Sequence, residues 1–181
     1  KLFSIDISYP TYAISWTTTP WTIPSNQAIC INTTFEYELI NISHENKKIS
    51  VLIAKTLKDT TFERIGISNH EVLGAKSGKE LIGLLASHPF LGRDSVFIPG
   101  SHVTEEMGSG LVHTAPAHGM DDYHACLGKN LDFTSPVDEK GEFYDSQEFV
   151  GGLNLEDANN KVIEILSEKS LLMSKSTYRH S

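Results

Sequence analysis

Two segments concentrate side chains capable of chemistry. Trp16-Thr17-Thr18-Thr19-Pro20-Trp21-Thr22-Ile23-Pro24-Ser25-Asn26 carries four threonines within six positions, and Pro20 and Pro24 prevent regular strand pairing there. Hydroxyls beside freed main-chain N–H groups can bind a carbonyl, a ribose or a water without formal charge, although the same composition also suits a plain β-rich turn. The second segment runs from Gly108 to Tyr123. A glycine-flanked strand carries His113, the chain bends at Pro116 and Gly119, and Asp121 and Asp122 open a helix. His113, His118, Asp121, Asp122 and His124 together invite a metal reading. The spacing opposes it, because a proline bend separates His113 from His118 and denies them a shared helical face. The plainer alternative has an aspartate capping the helix and His113 as a satisfied core histidine.

Two further motifs fail on their details. Gly74-Ala75-Lys76-Ser77-Gly78-Lys79 has three residues between its glycines and Glu80 after its lysine, whereas a phosphate loop needs four and then Ser or Thr. Met173-Ser174-Lys175-Ser176 looks like part of the Lys-Met-Ser-Lys-Ser loop of class I aminoacyl-tRNA synthetases, but Leu172 stands at its head and no His-x-Gly-His occurs anywhere. No ATP site follows from it.

The elements that must hold these residues are mostly strands. Phe3, Ile5 and Ile7 alternate with polar residues, as do Tyr12, Ile14 and Trp16 with small ones, so the chain is expected to open with β-structure. Further strands are predicted over Ala28–Asn32, Glu36–Ile42, Lys48–Ala54, Val72–Ala75, Val96–Ile98 and Gly110–Thr114. A Ser77-x-x-Glu80 capping box ahead of Leu81, Ile82, Leu84 and Leu85 predicts a helix, Asp121–Leu127 a second, and the periodic apolar residues from Asp157 to Leu172 a third with Asn154 or Asp157 as N-cap. The expected architecture is mainly β with peripheral helices, a closed or nearly closed β-barrel, with residues 20–26, 87–93 and 99–110 as loops of a single domain.

The 181 residues, 39% hydrophobic and 21% charged, suffice for a sizeable core. No apolar run approaches the ~20 residues of a membrane span. Two distant cysteines, Cys30 and Cys126, exclude a disulfide scaffold and fit a reducing compartment. The net charge of −8 arises over residues 96–150, with two basic against ten acidic side chains. That stretch cannot coat a polyanion. The best basic stripe is Lys47, Lys48, Lys55, Lys58 and Arg64, which also reads as an ordinary solvated face. With no initiator Met and no leader, the chain reads as a piece of a longer protein whose targeting information lies elsewhere.

Taken together, the two segments resemble the editing (CP1) domain inserted in isoleucyl-tRNA synthetases. The resemblance covers nearly the whole chain. It rests on Thr17-Thr18-Thr19-Pro20-Trp21-Thr22, Pro24-x-Asn26 and Gly108-x-Gly110-x-Val112-His113-x-Ala115-Pro116-x-His118-Gly119-x-Asp121-Asp122-Tyr123, followed in order by Pro136-Val137-x-x-x-Gly141, Phe149-x-Gly151 and Asp157-Ala158-Asn159. Tyr178–Ser181 looks like the strand returning to a catalytic body. Leucyl and valyl editing domains typically have Arg at the Thr19 position and an acid at the Trp21 position, so the isoleucyl type is the closer likeness. His118, where eukaryotic cytosolic forms tend to have Phe, resembles the bacterial or organellar type, and Ser109 replaces the usual Thr.

The resemblance implies residues 1–181 as one editing domain of a larger class I synthetase, which hydrolyses valine esterified to the 3′ end of tRNA(Ile) and also valyl-adenylate. The need is physical: one methylene in an apolar pocket is worth only ~1–3 kcal/mol, and an isoleucine site set against valine is the standard illustration of that limit. Asp122 is expected to hold the α-ammonium. His113, Thr18, Thr19 and Trp16 would shape a pocket that excludes isoleucine, while Thr17, Thr22 and Asn26 position the ester, the ribose and the attacking water. Trp21, Ala115, Pro116, His118, Gly119 and Asp121 complete the expected substrate-binding set. His113 is the candidate base, although the resemblance implies a water oriented by hydroxyls, main-chain groups and the substrate's own ribose hydroxyl. No metal or cofactor is implied. The implied partners are the acceptor end of tRNA(Ile) and the rest of the synthetase, where ATP and isoleucine would bind; no membrane partner is implied, a monomer is expected, and the setting is a bacterial cytoplasm or mitochondrial matrix. A catalytically silent acceptor-end binding module and a metal-dependent hydrolase are the rival readings.

Overall fold

A computed structural model describes residues 2–106 and 108–177. Among the described residues, eight strands form two four-stranded sheets. In the first, β1 (Thr11–Ala13) lies parallel to β4 (Lys47–Ala54), which pairs antiparallel with β3 (Glu36–His44), itself antiparallel to β5 (His70–Ser77). The second is ordered β6 (Leu85–Ser87), β7 (Asp94–Pro99), β2 (Ala28–Ile31) and β8 (Leu111–Thr114), with β2 and β7 parallel and the outer pairs antiparallel. The chain is mainly β, as expected. Among the described residues no continuous hydrogen-bonded barrel closes; what ties the sheets along one seam is the bridge between Trp16 and Val112 and the Ala54 N–H donated to the Ser109 carbonyl at 2.9 Å.

The unbroken apolar run at Val51–Ala54 has a simple cause, since β4 is buried on both faces. Leu52 and Ala54 pack with Ile29, Ile31, Phe97 and Leu111 between the sheets. Val51 and Ile53 pack on the other face with Ile40 and Phe62, the latter from helix α1 (Lys58–Ile65). On the outer face of the second sheet, Ala28, Cys30 and Ile98 meet Cys126 of helix α3 (Met120–Cys126). Helix α4 (Leu155–Glu168) buries Ala158 and Val162 against Phe143 and Val150, with Trp21 and Ile23 of a 3₁₀ turn, Pro20–Ser25, packed alongside.

Most predicted strands stand, with ends shifted by a residue or two. Phe3, Ile5 and Ile7 keep their alternating burial but pair with no strand, and Leu2–Ser4 is a 3₁₀ turn instead. The capping-box helix is a single turn, α2 (Gly78–Leu81): Glu80 does accept the Ser77 N–H at 3.0 Å, but Ile82 is extended, Gly83 turns at φ +86°, and β6 follows where Leu84 and Leu85 were expected to be helical. The last helix is capped by Asn154, whose side chain accepts the Asp157 N–H at 2.9 Å, and it stops at Glu168, short of Leu172. Helix α1 was not expected. Tyr178–Ser181 lies outside the described residues.

Candidate active site

His113 is set by register. Its partner across the β2–β8 ladder is Ile29, so its ring points toward the inter-sheet side, while Thr114 and Val112 pair with Ala28 and Cys30, which face α3. The 3₁₀ turn over Pro20–Ser25 then delivers Thr22 and Asn26 to that ring. Pro20 at its first position and Pro24 within it exclude strand pairing, and the Trp21 N–H is held by Asn159 Oδ1 of α4 at 2.7 Å. His113 Nε2 lies 2.8 Å from Thr22 Oγ1 and Nδ1 lies 2.7 Å from Asn26 Nδ2.

Proton counting fixes the roles. The Thr22 hydroxyl has one proton and gives it to the Thr19 carbonyl at 2.8 Å, so it must accept from His113 Nε2–H. Asn26 Nδ2 donates to the Ala28 carbonyl at 3.0 Å and to His113 Nδ1, and Asn26 Oδ1 accepts from the Ser95 hydroxyl. His113 is therefore neutral and protonated on Nε2. Burial, together with the nearby His88 and His118, pushes its pKa down to about 3. Both ring nitrogens are engaged, which leaves no free lone pair to take a proton from water.

Asn26 and His113, though not Thr22, form part of the wall of a cleft of about 1530 Å³, also lined by Trp16, Thr17, Thr18, Pro20, Ser95 and Phe97. Thr17 Oγ1 accepts the Thr19 N–H at 3.0 Å, and the Thr18 and Thr19 hydroxyls lie 3.3 Å apart. The other predicted site residues do not line this cleft. Trp21 meets His118 edge-on with ring centroids 4.7 Å apart, and His118 Nε2 lies 3.0 Å from Ser25 Oγ. Ala115 and Pro116 are buried. Gly119 is the N-cap of α3, whose first turn carries exposed Asp121 and half-buried Asp122. Asp122 Oδ2 accepts the Ala115 N–H at 2.8 Å, and burial raises its pKa above the usual carboxylate value. Among the described residues no three His, Cys, Asp or Glu side chains converge as a metal-binding group.

The basic stripe divides. Lys55 and Lys58 pair with Glu36 and Glu38, each at 2.8 Å, whereas Lys47 and Arg64 line the cleft, as do Lys169, Lys175, Glu45 and Glu156. Sequence reasoning missed Ser95, His88 and Arg93. One signal was available for Ser95: carrying the period of Val96–Ile98 back one residue puts it on the same face as buried Phe97.

A mainly β domain whose threonine-rich turn and histidine strand meet at an inter-sheet cleft has the fold of a CP1 editing domain. The crystal structure of GlLeuRS-CP1 matches it with a TM-score of 0.70 at 13% identity, over 96% of this chain and 87% of that one. The P. knowlesi cytosolic leucyl-tRNA synthetase editing domain matches at 0.66 and 12% identity, over 87% and 81%. By sequence, the chain is homologous to one segment of the isoleucine–tRNA ligases. It is 40% identical to that of Desulfovibrio desulfuricans across its whole length, 39% to that of Halorhodospira halophila over 93%, and 40% to that of Coxiella burnetii over 92%. The chain spans 18 to 19% of the length of these relatives. No family model matches.

Proposed function

We propose that this chain is a single editing domain of a larger class I synthetase, and that it hydrolyses the ester of valine misattached to the 3′-terminal adenosine of tRNA(Ile), with valyl-adenylate as a second substrate. The observation that carries the reading is the His113–Asn26 pair, hydrogen-bonded to Thr22, at the wall of a cleft large enough for an aminoacylated nucleoside. We read the two sheets as halves of a nearly closed barrel whose seam at Trp16 and Val112 borders the entrance. Thr18, Trp16 and the His113 ring form the size-limiting wall, with the Thr19 hydroxyl 3.3 Å from that of Thr18. Thr17, Thr22 and Asn26 place the ester and the water, and the reaction proceeds by positioning. Asp122 takes the α-ammonium, which requires the ligand to reach beyond the cleft wall to the first turn of α3. Lys47, Arg64, Lys169 and Lys175 are the cleft-lining cations that suit the phosphates of a single-stranded acceptor end, in a chain whose net charge is −8. The rest of the synthetase presents that end, in a bacterial cytoplasm or a mitochondrial matrix.

The test is hydrolysis of Val-tRNA(Ile) and Ile-tRNA(Ile) by the 181-residue chain at high concentration. Selective loss of valine, abolished in Asp122→Ala, is the expected result. Hydrolysis of neither by folded protein, with the tRNA end still bound, would leave a silent binding module in its place.

A further inference from the structure

The hydrogen bonds around Asn26 do not end at the site. They continue into one hairpin, β6–β7, whose side chains none of the site motifs contain. Ser95 of β7, 3% exposed, donates its hydroxyl to Asn26 Oδ1. Arg93 Nη2 donates to the Asn26 carbonyl at 2.9 Å and to the Pro24 carbonyl. His88 Nε2 lies 2.8 Å from the Ile23 carbonyl, which can only accept, so Nε2 carries the proton. Its Nδ1 accepts the Phe90 and Leu91 N–H groups at 3.2 and 3.0 Å. Ser95, Arg93 and His88 thus all hold the stretch Ile23–Asn26, immediately beyond Thr22.

Ser95 has the most specific consequence. An amide has two ends, and its direction decides what it offers His113: Nδ2 donates a proton to the ring, whereas Oδ1 would demand one. The Ala28 carbonyl, which can only accept, directs Nδ2 toward His113, and the Ser95 hydroxyl supplies the donor that the buried Oδ1 then requires. That leaves Nε2 as the protonated ring nitrogen, pointed at Thr22, whose own proton is aimed at the Thr19 carbonyl. One direction of donation therefore runs from a strand outside the motifs to the threonine turn.

We propose that Ser95 is a positioning residue for the editing site, acting through Asn26 to hold His113 in a single neutral tautomer, with Arg93 and His88 clamping the turn that bears Thr22 and Asn26. The inference rests on the editing reading for its activity consequence alone; the tautomer is a property of the protein whatever its substrate.

The experiment combines nitrogen NMR of ¹⁵N-histidine-labelled chain with Val-tRNA(Ile) hydrolysis. In the wild type, His113 is expected to show the Nε2–H pattern from pH 5 to pH 8. Ser95→Ala is expected to bring a second tautomer into exchange and to lower kcat about tenfold with KM changed less than twofold, the cost of freeing one buried hydrogen-bonding end. Ser95→Thr, which keeps the hydroxyl, restores both. A wild-type His113 that is Nδ1–H or charged at pH 6 overturns the proposal without any variant, so a failure of Ser95→Ala to fold does not shield it. An unchanged tautomer signal in Ser95→Ala overturns it too. If Ser95→Ala disturbs the tautomer while the wild type hydrolyses nothing, the editing reading fails and the positioning role stands.

Discussion

Thr22 stands at the end of a chain of single-proton choices, and its removal is the sharpest residue-scale test. Thr22→Val keeps the shape but takes away the acceptor of His113 Nε2–H. A buried donor left unmatched costs about 1–3 kcal/mol, and Val-tRNA(Ile) hydrolysis is expected to fall ten- to a hundredfold; an unchanged rate in a steady-state assay would remove Thr22 from the site. His113→Ala makes a different claim. Emptying the wall opposite the threonines is expected to admit isoleucine, so that Ile-tRNA(Ile) becomes a substrate, and a variant that still spares it would deny His113 the size limit. Asn26 and His113 stood out by residue type and spacing, but their pairing across 87 positions did not. A hydrogen bond between strand and turn leaves no trace in local sequence.

At the scale of elements, the signals that worked were those confined to a few neighbouring residues. Short apolar segments located β2, β3, β4, β7 and β8, and the periodic apolar residues after Asp157 located α4, with Asn154 or Asp157 as its cap. Asn154→Ala is expected to cost about 1 kcal/mol, a drop of about 2–4 °C in Tm for a chain of this size, measured by circular dichroism. Local signals failed where tertiary packing outvoted them. Leu81, Ile82, Leu84 and Leu85 carry a helical pattern, yet Leu81 alone is buried in the inter-sheet core, and Gly83 releases the chain to form β6 along β7. Gly110 shows the converse, a residue whose type is dictated by distant contacts. It turns at φ +79°, and a Cβ there would lie 2.3 Å from that of Ala54. Gly110→Ala is accordingly expected to destabilise by about 3 kcal/mol, the sum of a left-handed alanine and a packing clash, read from urea midpoints.

For the whole molecule, buried histidines set the response to acid. Burial pushes His113 to about 3 and His88 to about 4, against an ordinary value of 6.5. The unfolded chain therefore binds protons first as pH falls, and stability present above pH 6.5 is lost progressively toward pH 4 and then pH 3, by at most ~1.4 kcal/mol per pH unit for each histidine. Urea midpoints at pH 7.5 and pH 5 are expected to differ in that direction, and His88→Ala should flatten the difference; a higher midpoint at pH 5 would contradict the buried neutral state. A chelator is expected to leave hydrolysis unchanged, and loss of activity restored by zinc would revive a metal-dependent mechanism.

The sequence by itself determined the mainly β class, most strand positions, the last helix and the likeness to isoleucyl editing domains, because each depends on short-range periodicity or on motifs of contiguous residues. It named the threonines, Asn26, His113 and Asp122. Only the tertiary structure decided that Thr22, Asn26 and His113 share one hydrogen-bonded group while Asp122 turns to the Ala115 amide at α3, and that a hairpin bearing His88, Arg93 and Ser95 holds the turn in place. The reason is physical: a local pattern says which way a side chain faces, whereas sheet order and register say what it meets there, and proton direction follows from the partners alone.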